Sequence, residues 1–222
     1  MTTLVAPPLA GPPPGTVDVW LVPVRGPDVP HERLRSVLSE DEHARAARLR
    51  VGREAWTAAH GALRLILAHY LGTPAAELGF QRTKLGKPRL AGRETPHFNL
   101  SWRDGLALVA VASDRAVGAD LEREHDEAEI EALTREFLSP LDATAIDRAG
   151  PDGRRAAFFA AWTRHEARRK LHGLGIEDTL PAPAPGGVVL VRAVNVPPGY
   201  AAAIAAEGSG WLVRERELAE AL

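Results

Sequence analysis

Apolar and polar residues alternate at the start of Val17–Val24 (VDVWLVPV), the two-residue period of a half-buried strand. Past Ser39 the pattern changes. Ser39 precedes EDEHARAARLR with Glu42 three residues on, a capping-box signature that opens a helix of high intrinsic propensity. Leu63, Ile66, Leu67 and Tyr70 fall at helical spacing and predict a second helix from about Arg53 to Leu71, ended by Gly72 and Pro74. Gly86-Lys87-Pro88 marks a loop. His97–Ser101 and Leu106–Ala112 are apolar runs split by a turn containing Asp104-Gly105, which predicts a β-hairpin. Val117–Glu122 reads as a strand, and Glu127–Phe137 and Arg154–Leu171 as helices. A loop over Pro181–Gly187 then leads to strands at Val188–Val194 and Tyr200–Ala206. This order predicts an α+β fold of two similarly built halves, residues 17–114 and 115–222, behind a Pro-rich extended lead-in over residues 1–16. No repeat at the level of sequence links the halves.

Composition narrows the class of function. The chain has 222 residues with 45% hydrophobic and 25% charged positions, enough to bury a working core. Lys and Arg number 27 against 29 Asp and Glu, a balance that argues against general nucleic-acid binding. Cysteine is absent, which rules out disulfides, thiolate metal sites and a Cys nucleophile. The first residues lack the basic and apolar regions of a signal peptide, and no apolar run approaches a bilayer's thickness. The expectation is a cytoplasmic monomer with no nucleic-acid or membrane partner.

Candidate chemistry begins at Asp120 and Glu122. Two apart on a strand, they leave the same face, and Leu121 points the other way. Paired carboxylates repel unless a cation, a proton or a basic side chain neutralises them, and oxygen-only ligands suit Mg²⁺. A D-x-E pair is more often a solvated strand face. Glu166 sits in WTRHEARRK, where Trp162, Glu166 and Arg169/Lys170 share a helix side. That segment is either a surface ion-pair ladder or an acid that holds a metal while its cations hold phosphate.

Several stretches in register resemble the 4′-phosphopantetheinyl transferase family of the Sfp type. They are Gly86-Lys87-Pro88 with Phe98-Asn99-Leu100-Ser101, then Val117–Glu122 with Arg135–Pro140 (REFLSP). Trp162-Thr163-x-His165-Glu166-Ala167-x-x-Lys170 with Gly173-Leu174-Gly175 comes next, and lastly Pro198-Gly199-Tyr200-Ala201. The resemblance spans about Val17 to Ala206 and implies two pseudo-symmetric halves with the active site in the cleft between them. It implies transfer of the phosphopantetheine arm of coenzyme A to a serine of an acyl or peptidyl carrier protein, leaving adenosine 3′,5′-bisphosphate. By the same resemblance Asp120, Glu122 and Glu166 hold Mg²⁺ and Glu166 is the general base. Lys170 neutralises phosphate, Lys87 borders the nucleotide, and Arg45 faces the 3′-phosphate. Ser101, Trp102, Arg103 and His165 flank the bound coenzyme A.

The chain departs from the family where relatives carry His-Ser after F-N-x-S, since here Trp102-Arg103 stand. Arg103 offers a bidentate phosphate donor and Trp102 a stacking face. His165 replaces a Lys, and Thr57 stands near the place of an Arg. These changes keep two alternatives open: a relative acting on another pantetheine-bearing or phosphorylated ligand, and a non-catalytic carrier-binding module. Phe137, Leu138 and Leu141 beside Arg135, with Arg154, Arg155, Arg164, Arg168 and Arg169 as a positive edge, are the candidate carrier surface. The remaining histidines, including His31, His43, His60, His69, His125 and His172, show no metal-ligand spacing.

Overall fold

The computed structural model describes residues 11–126, 128–175, 178 and 187–222. Its first half runs β1 (Thr16–Pro23), α1 (His31–Ser36), α2 (Glu40–Arg48), α3 (Arg53–Leu71), β2 (Phe80–Arg82), β3 (Pro88–Leu90), β4 (His97–Arg103) and β5 (Leu106–Ala112). Then come β6 (Val117–Arg123), α4 (Ile130–Phe137), α5 (Pro140–Arg148), α6 (Gly150–His172), β7 (Val189–Ala193), β8 (Tyr200–Glu207) and β9 (Leu212–Arg216). The mixed α+β class is as expected.

Strand periodicity explains the layering. One sheet has the order β4-β5-β1-β9 and another β6-β8-β7, while β2 and β3 form a separate hairpin. Along β5, Ala107, Val109 and Val111 pack with the α3 side chains, and Leu108, Ala110 and Ala112 enter a core shared by the two sheets. On β6, Val117, Ala119 and Leu121 join that shared core, which leaves Gly118, Asp120 and Glu122 on the α6 side. Alanines at 203 and 205 of β8 meet Ala167 and Leu171 of α6, a close contact that small residues permit.

Gly118 sets the distance between β6 and α6. A Cβ built there would lie 2.1 Å from the Ala167 carbonyl oxygen and 2.4 Å from the Leu171 nitrogen, so only glycine lets the helix approach the strand this closely.

The capping box at Ser39 and Glu42 is formed, with Glu42 N donating to Ser39 Oγ and Glu42 Oε2 accepting from Ser39 N at 3.0 Å. Four elements go beyond those the sequence pattern predicts: α1, α5, the β2–β3 hairpin and β9. The Gly86-Lys87-Pro88 loop is in fact the turn of that hairpin. Helix α6 begins at Gly150 rather than Arg154, with Pro151 in its first turn, where its missing N–H costs nothing. Most of the lead-in, Glu127 and all but the end of the Pro181–Gly187 loop lie outside the described residues.

Strand β9 pairs parallel with β1, from Thr16↔Leu212 to Trp20↔Arg216. The sheet of the first half therefore ends on a strand from the second. Fully buried Asp18 anchors the pairing: Arg214 grips it with Nε at 2.6 Å and Nη2 at 2.7 Å, and Tyr70 donates its hydroxyl at 2.5 Å.

Candidate active site

Four α6 residues at successive intervals of four, Phe158, Trp162, Glu166 and Lys170, form one stripe facing β6. They line a cleft of about 330 Å³ together with Asp120 and Glu122 of β6, Arg103 of β4, and His125, Leu133 and Phe159. The sequence-predicted acids thus meet in one place. The apolar walls of Leu133, Phe158 and Phe159 carry no sequence signal beyond their helical spacing, which marks only core.

β4 and β6 lie beside each other without sharing a ladder. The Asn99 side chain accepts from Ala119 N at 2.8 Å, and Ser101 Oγ accepts from Leu121 N at 3.2 Å. These two polar side chains stand in for ladder partners, which gives the F-N-L-S motif a physical reason. Ser101 also reaches Asp120 Oδ1 at 3.2 Å, and Lys170 Nζ bonds both Ser101 Oγ at 3.1 Å and Asp120 Oδ1 at 2.5 Å.

The acids are held in tension. Burial, then the charge of Asp120, push the Glu122 carboxyl above the usual range against the pull of Arg103. Burial and Asp120 push Glu166 up likewise, against Lys170 and Arg169. Asp120 is 1% exposed, and its Oδ2 has no hydrogen-bond partner; Glu166 Oε1 has no hydrogen bond either but lies 3.7 Å from the Arg169 Nε. The carboxylates of Asp120, Glu122 and Glu166 lining one cleft suit a hard, oxygen-seeking cation. Among the described residues no three acidic or imidazole groups stand assembled as a ligand cage. The acids are instead drawn onto basic partners, Asp120 onto Lys170 and Glu122 onto Arg103.

Alternation along β4 makes it a partition. Ser101 and Arg103 face the acidic cleft, whereas Phe98, Leu100 and Trp102, together with Asn99, line a larger cavity of about 570 Å³. Arg45, Trp56, His60 and Arg82 line this second cavity too. The Arg45 guanidinium lies 5.7 Å from the Trp56 ring, which stacks on His60 at 3.8 Å. Burial pushes His60 down to about 4, so it is neutral at pH 7.

Two expected residues sit elsewhere. Lys87 lines neither cavity: its ammonium donates to the carbonyls of Val117 at 2.7 Å and Leu171 at 2.9 Å, which ties the β2–β3 turn to β6 and α6. Burial pushes it down to about 8. His165 turns toward Phe137 and Trp162 rather than into the cleft, and burial first, then Arg169 and Arg168, lower its pKa. Within the expected positive edge Arg169 is buried, donating to the Asp178 carbonyl at 2.8 Å. Arg154, Arg155 and Arg164 pair with Glu131, Asp126 and Asp142, and Leu141 stands 83% exposed.

Residues 116–185 match the model of the 4′-phosphopantetheinyl transferase superfamily, a segment that carries every residue of the acidic cleft except Arg103. The chain is 35% identical over 165 residues to the 4′-phosphopantetheinyl transferase HetI of Nostoc sp., covering 72% of this chain and 70% of that protein. It is 28% identical over 166 residues to a putative 4′-phosphopantetheinyl transferase of Synechocystis sp., covering 73% and 67%. A phosphopantetheinyl transferase of Thraustochytrium sp. is 28% identical over 182 residues, covering 74% and 63%.

Proposed function

The chain belongs to the 4′-phosphopantetheinyl transferase superfamily, and from that membership we propose how its two cavities divide the work. It transfers the 4′-phosphopantetheine arm of coenzyme A to a serine of an apo carrier protein. In the proposed assignment, coenzyme A places its nucleotide in the larger cavity, against Arg45 and Trp102, and its pyrophosphate in the acidic cleft. The observation that carries this reading is the meeting of Asp120, Glu122 and Glu166 with two cations, Arg103 and Lys170, in one cleft, where Asp120 Oδ2 is buried without a hydrogen bond.

Asp120, Glu122 and Glu166 would hold Mg²⁺, which when bound supplies charge neutralisation of the pyrophosphate. The residues of the chain supply the rest. Glu166, its pKa raised by burial, takes the proton of the carrier serine. The serine oxygen forms a bond to the phosphorus that bears the pantetheine. The bond from that phosphorus to the bridging oxygen breaks, and adenosine 3′,5′-bisphosphate leaves with the electron pair. Lys170, carried by Asp120 and Ser101, neutralises phosphate charge as it redistributes. Ser101 orients Asp120 and Lys170, and Arg103 lies at the mouth. Lys87 and His165, given their contacts, support the frame rather than the ligand.

The proposal takes residues 17–114 and 115–222 as the two halves flanking the cleft, acting as a monomer in the cytoplasm. The balanced charge supports the absence of a nucleic-acid partner, and no helix among the described residues is long and apolar enough to cross a membrane. The test incubates the purified protein with coenzyme A, Mg²⁺ and several apo carrier proteins and weighs the carriers intact. A phosphopantetheine adduct with release of adenosine 3′,5′-bisphosphate is expected, and EDTA should suppress it. No adduct on any carrier from folded protein overturns the reading.

A further inference from the structure

Arg103 makes a contact that differs in kind from that of the other cleft cation. Both its Nε and Nη2 lie 2.6 Å from the same Glu122 oxygen, Oε2. The Arg103 side chain is 49% exposed while that of Glu122 is 14% exposed, so the pair joins a solvent-facing guanidinium to a sheltered carboxylate. Arg64 and Arg169 show the opposite arrangement: both are buried and bonded to backbone carbonyls that hold them in place. Among the described residues Arg103 has Glu122 as its one charged partner. Lys170, by contrast, is shared between Asp120 and Ser101 inside the cleft.

Resting on the reading that Asp120, Glu122 and Glu166 hold Mg²⁺, we propose that Arg103 is an exchanging counter-ion. It neutralises Glu122 in the free protein and passes to the coenzyme A pyrophosphate when Glu122 takes up the divalent ion. Neither half of the exchange is favourable alone. Mg²⁺ by itself must displace the guanidinium and leave it without an anion, and coenzyme A by itself must strip Glu122 of its partner beside Asp120. Together each ligand supplies what the other removes, because a guanidinium fork binds a phosphate as well as a carboxylate. The two ligands therefore bind cooperatively, and linkage requires the coupling to be the same whichever binds first.

Isothermal titration calorimetry without carrier protein reads this directly. Mg²⁺ is titrated into wild type, R103Q and R103K, each alone and with saturating coenzyme A. Wild type should bind Mg²⁺ at least about fivefold more tightly when coenzyme A is present. R103Q should bind Mg²⁺ alone more tightly than wild type and lose most of that coupling, and R103K should retain part of both effects. If R103Q matches wild type in either its Mg²⁺ affinity alone or its coupling, the inference is overturned while the transferase reading stands. No Mg²⁺ uptake by wild type even with coenzyme A overturns the metal reading and the inference with it.

Discussion

Replacing Gly118 with Ala tests whether the spacing between β6 and α6 sets the reaction. The new Cβ would lie 2.1 Å from the Ala167 carbonyl oxygen and 2.4 Å from the Leu171 nitrogen, and both are backbone atoms that no rotamer change can clear. Restoring ordinary contact at 3.4 Å moves the helix or the strand by about 1.3 Å. Glu166 and Lys170 ride on that helix, and Asp120 and Glu122 ride on that strand. A shift of this size at a reacting centre costs about 100-fold in rate, and the overpacking itself costs about 1–3 kcal/mol of stability. Gly61→Ala is the matched control. Its Cβ would lie 2.1 Å from the Leu34 carbonyl oxygen, an equal clash placed against α1 rather than the acids. Carrier-loading kinetics and thermal melts of both variants separate the two effects. Both should melt lower, and G118A alone should lose about 100-fold in kcat. Equal kcat losses in the two variants, or an unimpaired G118A, would refute the claim that this packing positions the site.

Glu166→Gln should abolish transfer yet raise the melting temperature at pH 7 without metal. The folded pKa of Glu166 lies above its unfolded value, so wild type loses stability as pH rises past the ordinary carboxylate range, and melts of E166Q from pH 4 to 8 should lack that contribution. His60 has the opposite sense, being held near 4 against 6.5 when unfolded. Its contribution of up to about 3 kcal/mol is present above pH 6.5 and lost as pH falls toward 4, and chemical denaturation of H60Q should show a flatter profile across that window. Lys87→Met removes the ammonium that bonds two carbonyls and should cost about 1–3 kcal/mol at pH 7, read by urea denaturation; an unchanged midpoint would show that those bonds contribute nothing net.

The elements legible in the sequence are those whose signal is local. Ser39 and Glu42 cap α2 through side chains three residues apart, and the β4–β5 hairpin is written in two apolar runs around Asp104-Gly105. Helix α1 spans six residues and buries only Leu34, too little for a period to show. Helix α5 has Ile146 as its one buried residue, so its apolar pattern is faint. Strand β9 is mostly exposed and takes its register from a strand near the other end of the chain. In the site, the pairing of Asp120 with Glu122 comes from the strand period alone. The fate of Lys87 does not, because the groups that claim it are backbone carbonyls of Val117 and Leu171, and any residue type supplies a carbonyl.

The pairing of β9 with β1 also sets an order of events at the ribosome. Arg214 comes 196 positions after its partner Asp18, so Asp18 emerges long before the guanidinium that compensates it. Until then the nascent first half holds a carboxylate bound for full burial with only the Tyr70 hydroxyl to satisfy it, and the edge of β1 is unpaired. The first sheet therefore completes only after synthesis of the second half has ended. Residues 17–114 expressed alone should populate an open, aggregation-prone state, and a separately supplied segment bearing β9 should rescue it.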